Sequence, residues 1–190
     1  RADDFRWVLA YGSDDGQVYC LNAADGALIW ALHAGTNGDR LLGSGKMISR
    51  WPVRTGVLVD GGVAYFAAGG YPHDGIFICA AGAEDGELLW RSGTIGQATV
   101  ARTVYSQLSP NGYLLASEST LFVPSARALP AAFDREDGRK LYQSSDSWRS
   151  SGIVGGTYAV LAGDHLLCGA NLATGYAQDT GRGGFAWFPC

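Results

Sequence analysis

Arg40, Lys46, Arg50 and Arg54 fall within fifteen residues of a glycine-rich connection running from His33 to Arg54. Cations converging from one loop can hold an anion, because their charges add over short distances and each guanidinium brings a fork of donors. The competing reading is a solvated insertion that Trp51-Pro-Val53 anchors against the neighbouring strands. A connection longer than about 12–15 residues without structure of its own is usually functional or mobile.

Other chemistry-bearing residues are less concentrated. Asp14, Asp15, Asp60, Asp74, Asp85 and Asp137 sit beside turn glycines, where hairpin geometry already accounts for them. No EF-hand spacing is present. His33, His73 and His165 lack the i, i+4 or short-strand spacing of a zinc site and fall in or beside expected loops. Ser106, Ser109 and Ser117 lack the glycine pattern of a nucleophile elbow. The four cysteines, Cys20, Cys79, Cys168 and Cys190, show no C-x-x-C spacing and read as small buried hydrophobes. Cys20 and Cys79 stand one register apart on equivalent strands, so they are expected to point to opposite sheet faces. Trp30, Trp90 and Tyr142 have the flat apolar bodies of a ligand-stacking platform, but they recur at matched positions. A platform is needed once, whereas a spacer between repeated sheets must return with every repeat.

That recurrence leads to the elements. Cys20-Leu-Asn-Ala-Ala-Asp-Gly-Ala-Leu-Ile-Trp30 returns 60 positions on as 80–90 and again 52 further on as 132–142, where Tyr142 closes the copy. A weaker fourth copy, 169–175, is followed by Asp179 where an aromatic is expected. Each copy opens on a small residue (Cys20, Ala80, Ala132) that lets a neighbouring sheet approach. Gly26, Gly86 and Gly138 supply positive φ to a tight hairpin turn. Asn22 and Asp134 can hydrogen-bond loose backbone N–H groups across it. Regular repetition of this kind marks solenoids, arrays or propellers.

Short apolar runs bounded by glycine and Asp-Gly turns read as antiparallel strands throughout, with no segment of helical period. Residues 6–33 carry three strands and lack a first; 55–92 carry four; 110–143 fill the same four slots; 155–190 begin a degenerate fourth unit. The 28 glycines, about twice average usage, against only 6 prolines suit many tight turns. The expected fold is therefore all-β: a partial β-propeller of about three to four four-stranded antiparallel blades, an open arc whose end sheets leave apolar faces uncovered. A sandwich with one shared core is the alternative. A net charge of −4 gives no reason to expect nucleic acid or an anionic membrane as partner. No apolar run approaches a membrane span. Neither a signal peptide nor an initiating Met opens the segment, and both ends read as cut.

The cassette resembles the tryptophan-docking repeat of quinoprotein-like (PQQ-repeat) β-propellers, roughly Ala-x-Asp-x-x-Thr-Gly-x-x-x-Trp. The resemblance covers nearly the whole chain. Some such propellers are alcohol dehydrogenases that use pyrroloquinoline quinone and calcium, with vicinal cysteines packed on the quinone; this sequence has no Cys-Cys pair. Others carry the repeats without a cofactor. Trp-Pro-Val at 51–53, the run at 59–70 and Pro-Ala-Ala-Phe-Asp at 130–134 resemble this second type. The resemblance implies a non-catalytic interaction module of a larger exported bacterial protein, periplasmic or extracellular, without cofactor. Its expected partners are the remaining blades of the same chain or another protein. The alternative it leaves open is a fragment of a quinone- and calcium-dependent dehydrogenase.

Overall fold

The structure is a computed structural model and describes residues 7–43, 45–93, 108–126, 128–143, 156–162, 165–169 and 185–189. Among the described residues, four antiparallel sheets of three or four strands and one two-stranded hairpin follow one another along the chain. The first is β1 (Val8–Gly12), β2 (Gln17–Asn22) and β3 (Leu28–His33), in that spatial order. A hairpin of β4 (Arg40–Gly43) and β5 (Lys46–Ser49) follows. The second sheet is β6 (Leu58–Asp60), β7 (Val63–Ala68), β8 (Phe77–Gly82) and β9 (Leu88–Arg91). The third repeats it with β10 (Leu115–Ala116), β11 (Thr120–Val123), β12 (Ala131–Asp134) and β13 (Lys140–Gln143). The fourth is β14 (Tyr158–Ala162), β15 (His165–Gly169) and β16 (Phe185–Pro189). Among the described residues the only helical element is a three-residue 3-10 turn, Pro72–Asp74. The architecture is an open all-β propeller arc.

The middle of the arc shows why apolar runs replace alternation. β7 and β8 are buried on both faces, since each face packs on a neighbouring sheet. Ala64, Phe66, Ala68, Phe77, Cys79 and Ala81 meet Val18, Cys20 and Trp30 of the first sheet. Tyr65, Ala67, Ile76, Ile78 and Ala80 meet Leu121, Val123, Ala131 and Phe133 of the third. Cys20 and Cys79 point to opposite faces of their own sheets, and for that reason they share one inter-sheet layer. The core is thus a series of layers, with aromatics at successive contacts as a sandwich would not place them. Each fully buried Phe or Ile in a layer contributes about 1.5–3 kcal/mol.

Two expectations change. The connection 33–54 is not structureless: Leu41 pairs with Ile48 and Leu42 with Met47 in the β4–β5 hairpin. Apolar residues separated by Gly43 and Gly45 supply a strand pair that the abundance of glycine concealed. The Asp-Gly turns are also wider than a two-residue hairpin. Gly26 N–H donates to the Asn22 carbonyl at 2.8 Å, Gly86 to Gly82 at 2.9 Å and Gly138 to Asp134 at 3.0 Å. Each glycine has positive φ (+73°, +72° and +73°), at the exit of a longer turn. In the fourth sheet, the strand paired with β15 is Phe185–Pro189. Residues 170–175 of the weak fourth cassette, and Asp179, lie outside the described residues.

Candidate functional site

The cassette residues are brought together between sheets. Cys20 stands opposite Trp30 across β2 and β3, and Ala80 opposite Trp90 across β8 and β9. The small partner leaves each indole free to lean onto the following sheet. Trp30 Nε1 donates to the Ala83 carbonyl at 3.0 Å, and Trp90 Nε1 donates to the Arg135 carbonyl at 3.0 Å. Ala83 and Arg135 both hold the fourth position of the next cassette. The rings then cover its turn glycine. A Cβ at Gly86 would lie 2.7 Å from Trp30 Cδ2, and one at Gly138 would lie 2.4 Å from Trp90 Cε3. Gly86 and Gly138 therefore serve twice, for positive φ and for an incoming ring. The sequence signals the first role; the second needs the docking partner. Nothing in the sequence marks the fourth position, because it is read through its backbone carbonyl.

The polar cassette residues hold the turn itself. Asn22 Oδ1 accepts from Ala24 N–H at 3.0 Å, and Asp134 Oδ1 from Glu136 N–H at 2.9 Å. Asp25, Asp85 and Asp137 each accept from the N–H two residues on. Tyr142 keeps the register opposite Ala132 and is 41% exposed. Trp30 is 7% exposed and Trp90 half-buried, and the two sit in separate layers. The aromatics do not converge on one pocket.

Arg135 reinforces the second contact without having been expected. Its guanidinium reaches Asp60 at 2.7 Å, the Ser117 carbonyl at 2.6 Å and the Tyr65 hydroxyl at 3.3 Å, and it lies 5.2 Å from the Tyr65 ring centroid. Trp51 is likewise seated, donating Nε1 to the Asp74 carbonyl at 2.8 Å and meeting Phe77 edge-on.

The loop cations face carboxylates. Lys46 Nζ lies 3.1 Å and Arg54 Nε 2.9 Å from Asp14, while Arg50 bridges Asp39 at 3.3 Å and Asp74 at 3.7 Å. The Arg54 guanidinium, then Lys46, holds the Asp14 carboxyl below the usual range. Arg40 sits apart at the start of β4. Three of the four charges are already answered, so an anion would have to displace Asp14, Asp39 or Asp74.

An open cleft of about 320 Å³ lies where the sheets' first strands begin, lined by Arg54, Thr55, Asn111, Tyr113, Thr157 and Tyr158 together with Gly56 and Gly112. It offers hydroxyls, an amide and two rings, but no carboxylate, histidine or thiol. Among the described residues no three His, Cys, Asp or Glu groups assemble as a metal site. The Cys79 thiol is pushed up to about 12 by burial, so it is protonated at neutral pH. No helix among the described residues is long and apolar enough to cross a membrane.

Comparison with known proteins follows this geometry. No curated protein sequence matches the chain. The structure of BamB from Moraxella catarrhalis is similar at 21% identity and a TM-score of 0.60, over 89% of this chain and 43% of that one. The computationally designed Ika4 protein is similar at 13% identity and a TM-score of 0.58, over 96% of this chain and 84% of that one. The quinohemoprotein alcohol dehydrogenase from Comamonas testosteroni is similar at 16% identity and a TM-score of 0.53, over 85% of this chain and 30% of that one. The chain thus spans less than half the length of the two natural proteins. The family model for outer membrane protein assembly factor BamB matches residues 5–145, well over half of the sequence, and the chain belongs to this family of PQQ-repeat β-propellers.

Proposed function

We propose that this chain is a non-catalytic repeat module, an interaction scaffold within a larger exported bacterial protein of the periplasm or cell exterior. One observation supports the reading: two of the recurrent aromatics, Trp30 and Trp90, are engaged in holding sheets together. Trp30 and Trp90 each use the indole N–H and one ring face on the following repeat, which leaves neither as a stacking surface for a quinone or sugar. Among the described residues, the lining of the cleft at the strand starts also does not fit pyrroloquinoline quinone with calcium. The cleft at the strand starts has no carboxylate to hold a divalent cation, and the sequence has no vicinal cysteines.

The test is to incubate the full chain with quinone and calcium, desalt it, and record both retained quinone absorbance and dye-linked alcohol oxidation. Neither signal is expected above a buffer control. Calcium-dependent retention of quinone would overturn the scaffold reading and favour a dehydrogenase fragment.

A further inference from the structure

The middle of the arc builds a cleft that the docking contacts leave unused. It opens where the second and third sheets begin: Thr55 bridges Gly112, and Gly56 N–H donates to the Gly112 carbonyl at 2.9 Å. Tyr113 lines it. The ring rests against Gly56, where a built Cβ would lie 2.5 Å from Tyr113 Cδ1, yet the residue is 74% exposed. Tyr113 lies outside the repeated cassette, so it is not one of the spacers that return with the sheets. A ring seated on a glycine at one side and open at the other is a stacking platform. Asn111, two positions earlier, is exposed, and its backbone N–H donates to the Pro124 carbonyl at 3.2 Å. Its side-chain amide is therefore presented to the same cleft from a fixed base.

The lining decides what such a cleft can hold. Its volume of about 320 Å³ is at the small end of ligand sites, roughly 300–1,000 Å³. Arg54 lines it with Nε 2.9 Å from Asp14, so its charge is already answered and draws no anion. No aliphatic side chain lines it, which leaves no pocket for the apolar anchor of a peptide. It also has no carboxylate, imidazole or thiol to move a proton. What remains is a flat ring, an amide, the Thr157 hydroxyl and a neutralised guanidinium. A pyranose ring matches that set, with C–H groups on its face and hydroxyls around its edge. We propose that the cleft is a carbohydrate site, binding a neutral mono- or disaccharide without turning it over. Tyr113 stacks on the sugar face, Asn111 and Thr157 bond its hydroxyls, and Arg54 donates while staying on Asp14. Tyr158 of the fourth sheet also lines the cleft but is not required. The outward faces of the first and fourth sheets play no part, so the site stands whatever chain flanks them. It goes beyond the scaffold reading and does not depend on it.

The test uses the full-length protein that carries this chain. Glucose, galactose, mannose, N-acetylglucosamine, maltose and cellobiose are titrated by saturation-transfer NMR and calorimetry. At least one is expected to bind with a dissociation constant of about 0.1–5 mM. Tyr113→Ala should weaken it about 10-fold or more, and Asn111→Ala about 3-fold or more. Tyr113→Phe should keep it, because stacking uses the ring face. All three positions changed are exposed, so the urea midpoint should not move. Silence from every sugar at about 20 mM, well above the affinity range expected, would refute the inference. So would a sugar that binds the Tyr113→Ala protein as tightly as the native one, or a site that takes glucuronate or a polyproline peptide and none of the neutral sugars. The quinone assay reads a separate question. Quinone retention would overturn the scaffold reading alone, and a silent sugar panel would overturn this site alone.

Discussion

Gly138→Ala is expected to destabilise the chain far more than Gly26→Ala, although both glycines hold the same cassette position at a φ of +73°. Forcing a residue with a Cβ into the left-handed region costs about 1 kcal/mol. At position 26 that is the entire cost, because nothing lies within 4 Å. At position 138 the new methyl would stand 2.4 Å from Trp90 Cε3, where carbon atoms settle at roughly 3.5–4.0 Å. The opposing atom belongs to a rigid ring tethered by its 3.0 Å hydrogen bond to Arg135. The indole must lift by roughly 1 Å or more to restore that contact distance. Lifting forfeits that hydrogen bond, about 1 kcal/mol, and part of the indole's burial, about 1–2 kcal/mol. The expected losses are about 1 kcal/mol for Gly26→Ala and about 3–4 kcal/mol for Gly138→Ala.

Urea unfolding at equal m-values measures both losses. A second arm removes the ring. With Trp90→Ala in place, Gly138→Ala should fall to the cost seen at position 26, a coupling of about 2 kcal/mol. Equal losses at the two glycines would refute the docking argument, as would a full loss at 138 once Trp90 is gone.

Further expectations follow from other contacts. Thr55→Val should cost about 1–3 kcal/mol, because the buried hydroxyl both accepts from Ala67 N–H at 3.0 Å and donates to its carbonyl at 3.3 Å; thermal unfolding reads it. Asp14→Asn should loosen the β4–β5 hairpin, seen as faster amide exchange at Ile48, with under about 1 kcal/mol of global loss because the pairs are partly exposed. The Asp14 carboxyl is lowered in the folded state, so its contribution is present above the ordinary carboxylate range and disappears as pH falls through the folded value. Asp14→Asn should therefore flatten the acid limb of stability against pH. Cys79 acts in the opposite direction. Its folded thiol is raised to about 12 from 9.0, so its contribution is complete below pH 9 and is lost between there and pH 12 as the unfolded thiol ionises. Cys79→Ala should remove about 1.4 kcal/mol per pH unit of alkaline slope, and native Cys79 should react with alkylating reagents only as fast as the chain opens.

The repeated cassette made the all-β open arc legible, because a Trp returning at matched positions has to serve something that also repeats. It could not disclose that Arg135 joins two sheets. That residue stands at the variable fourth cassette position, where Ala23 and Ala83 are its counterparts, and its partners Asp60, Ser117 and Tyr65 are distant in sequence. The β4–β5 hairpin escaped for the opposite reason. Glycines at 43 and 45 mask a four-residue apolar pattern that becomes a strand pair only when Ile48 finds a buried place. The cations were visible, but their meaning was not, since Asp14 lies 32 residues before Lys46 and its role depends on where β1 ends.

The same asymmetry separates scaffold from site. A docking contact read along the chain has a direction: the closing aromatic of one repeat gives its N–H and ring face to the next repeat's carbonyl and glycine. The second sheet is then both donor and acceptor, and both faces of β7 and β8 are covered by neighbours. Among the described residues, exposed apolar side chains stand outside those layers at Leu9 and Tyr11 of β1 and at Tyr158 and Val160 of β14. Polar substitutions at the exposed Leu9 or Val160 should therefore cost little in urea unfolding, whereas substitutions at Trp30 or Trp90 should destabilise the fold first.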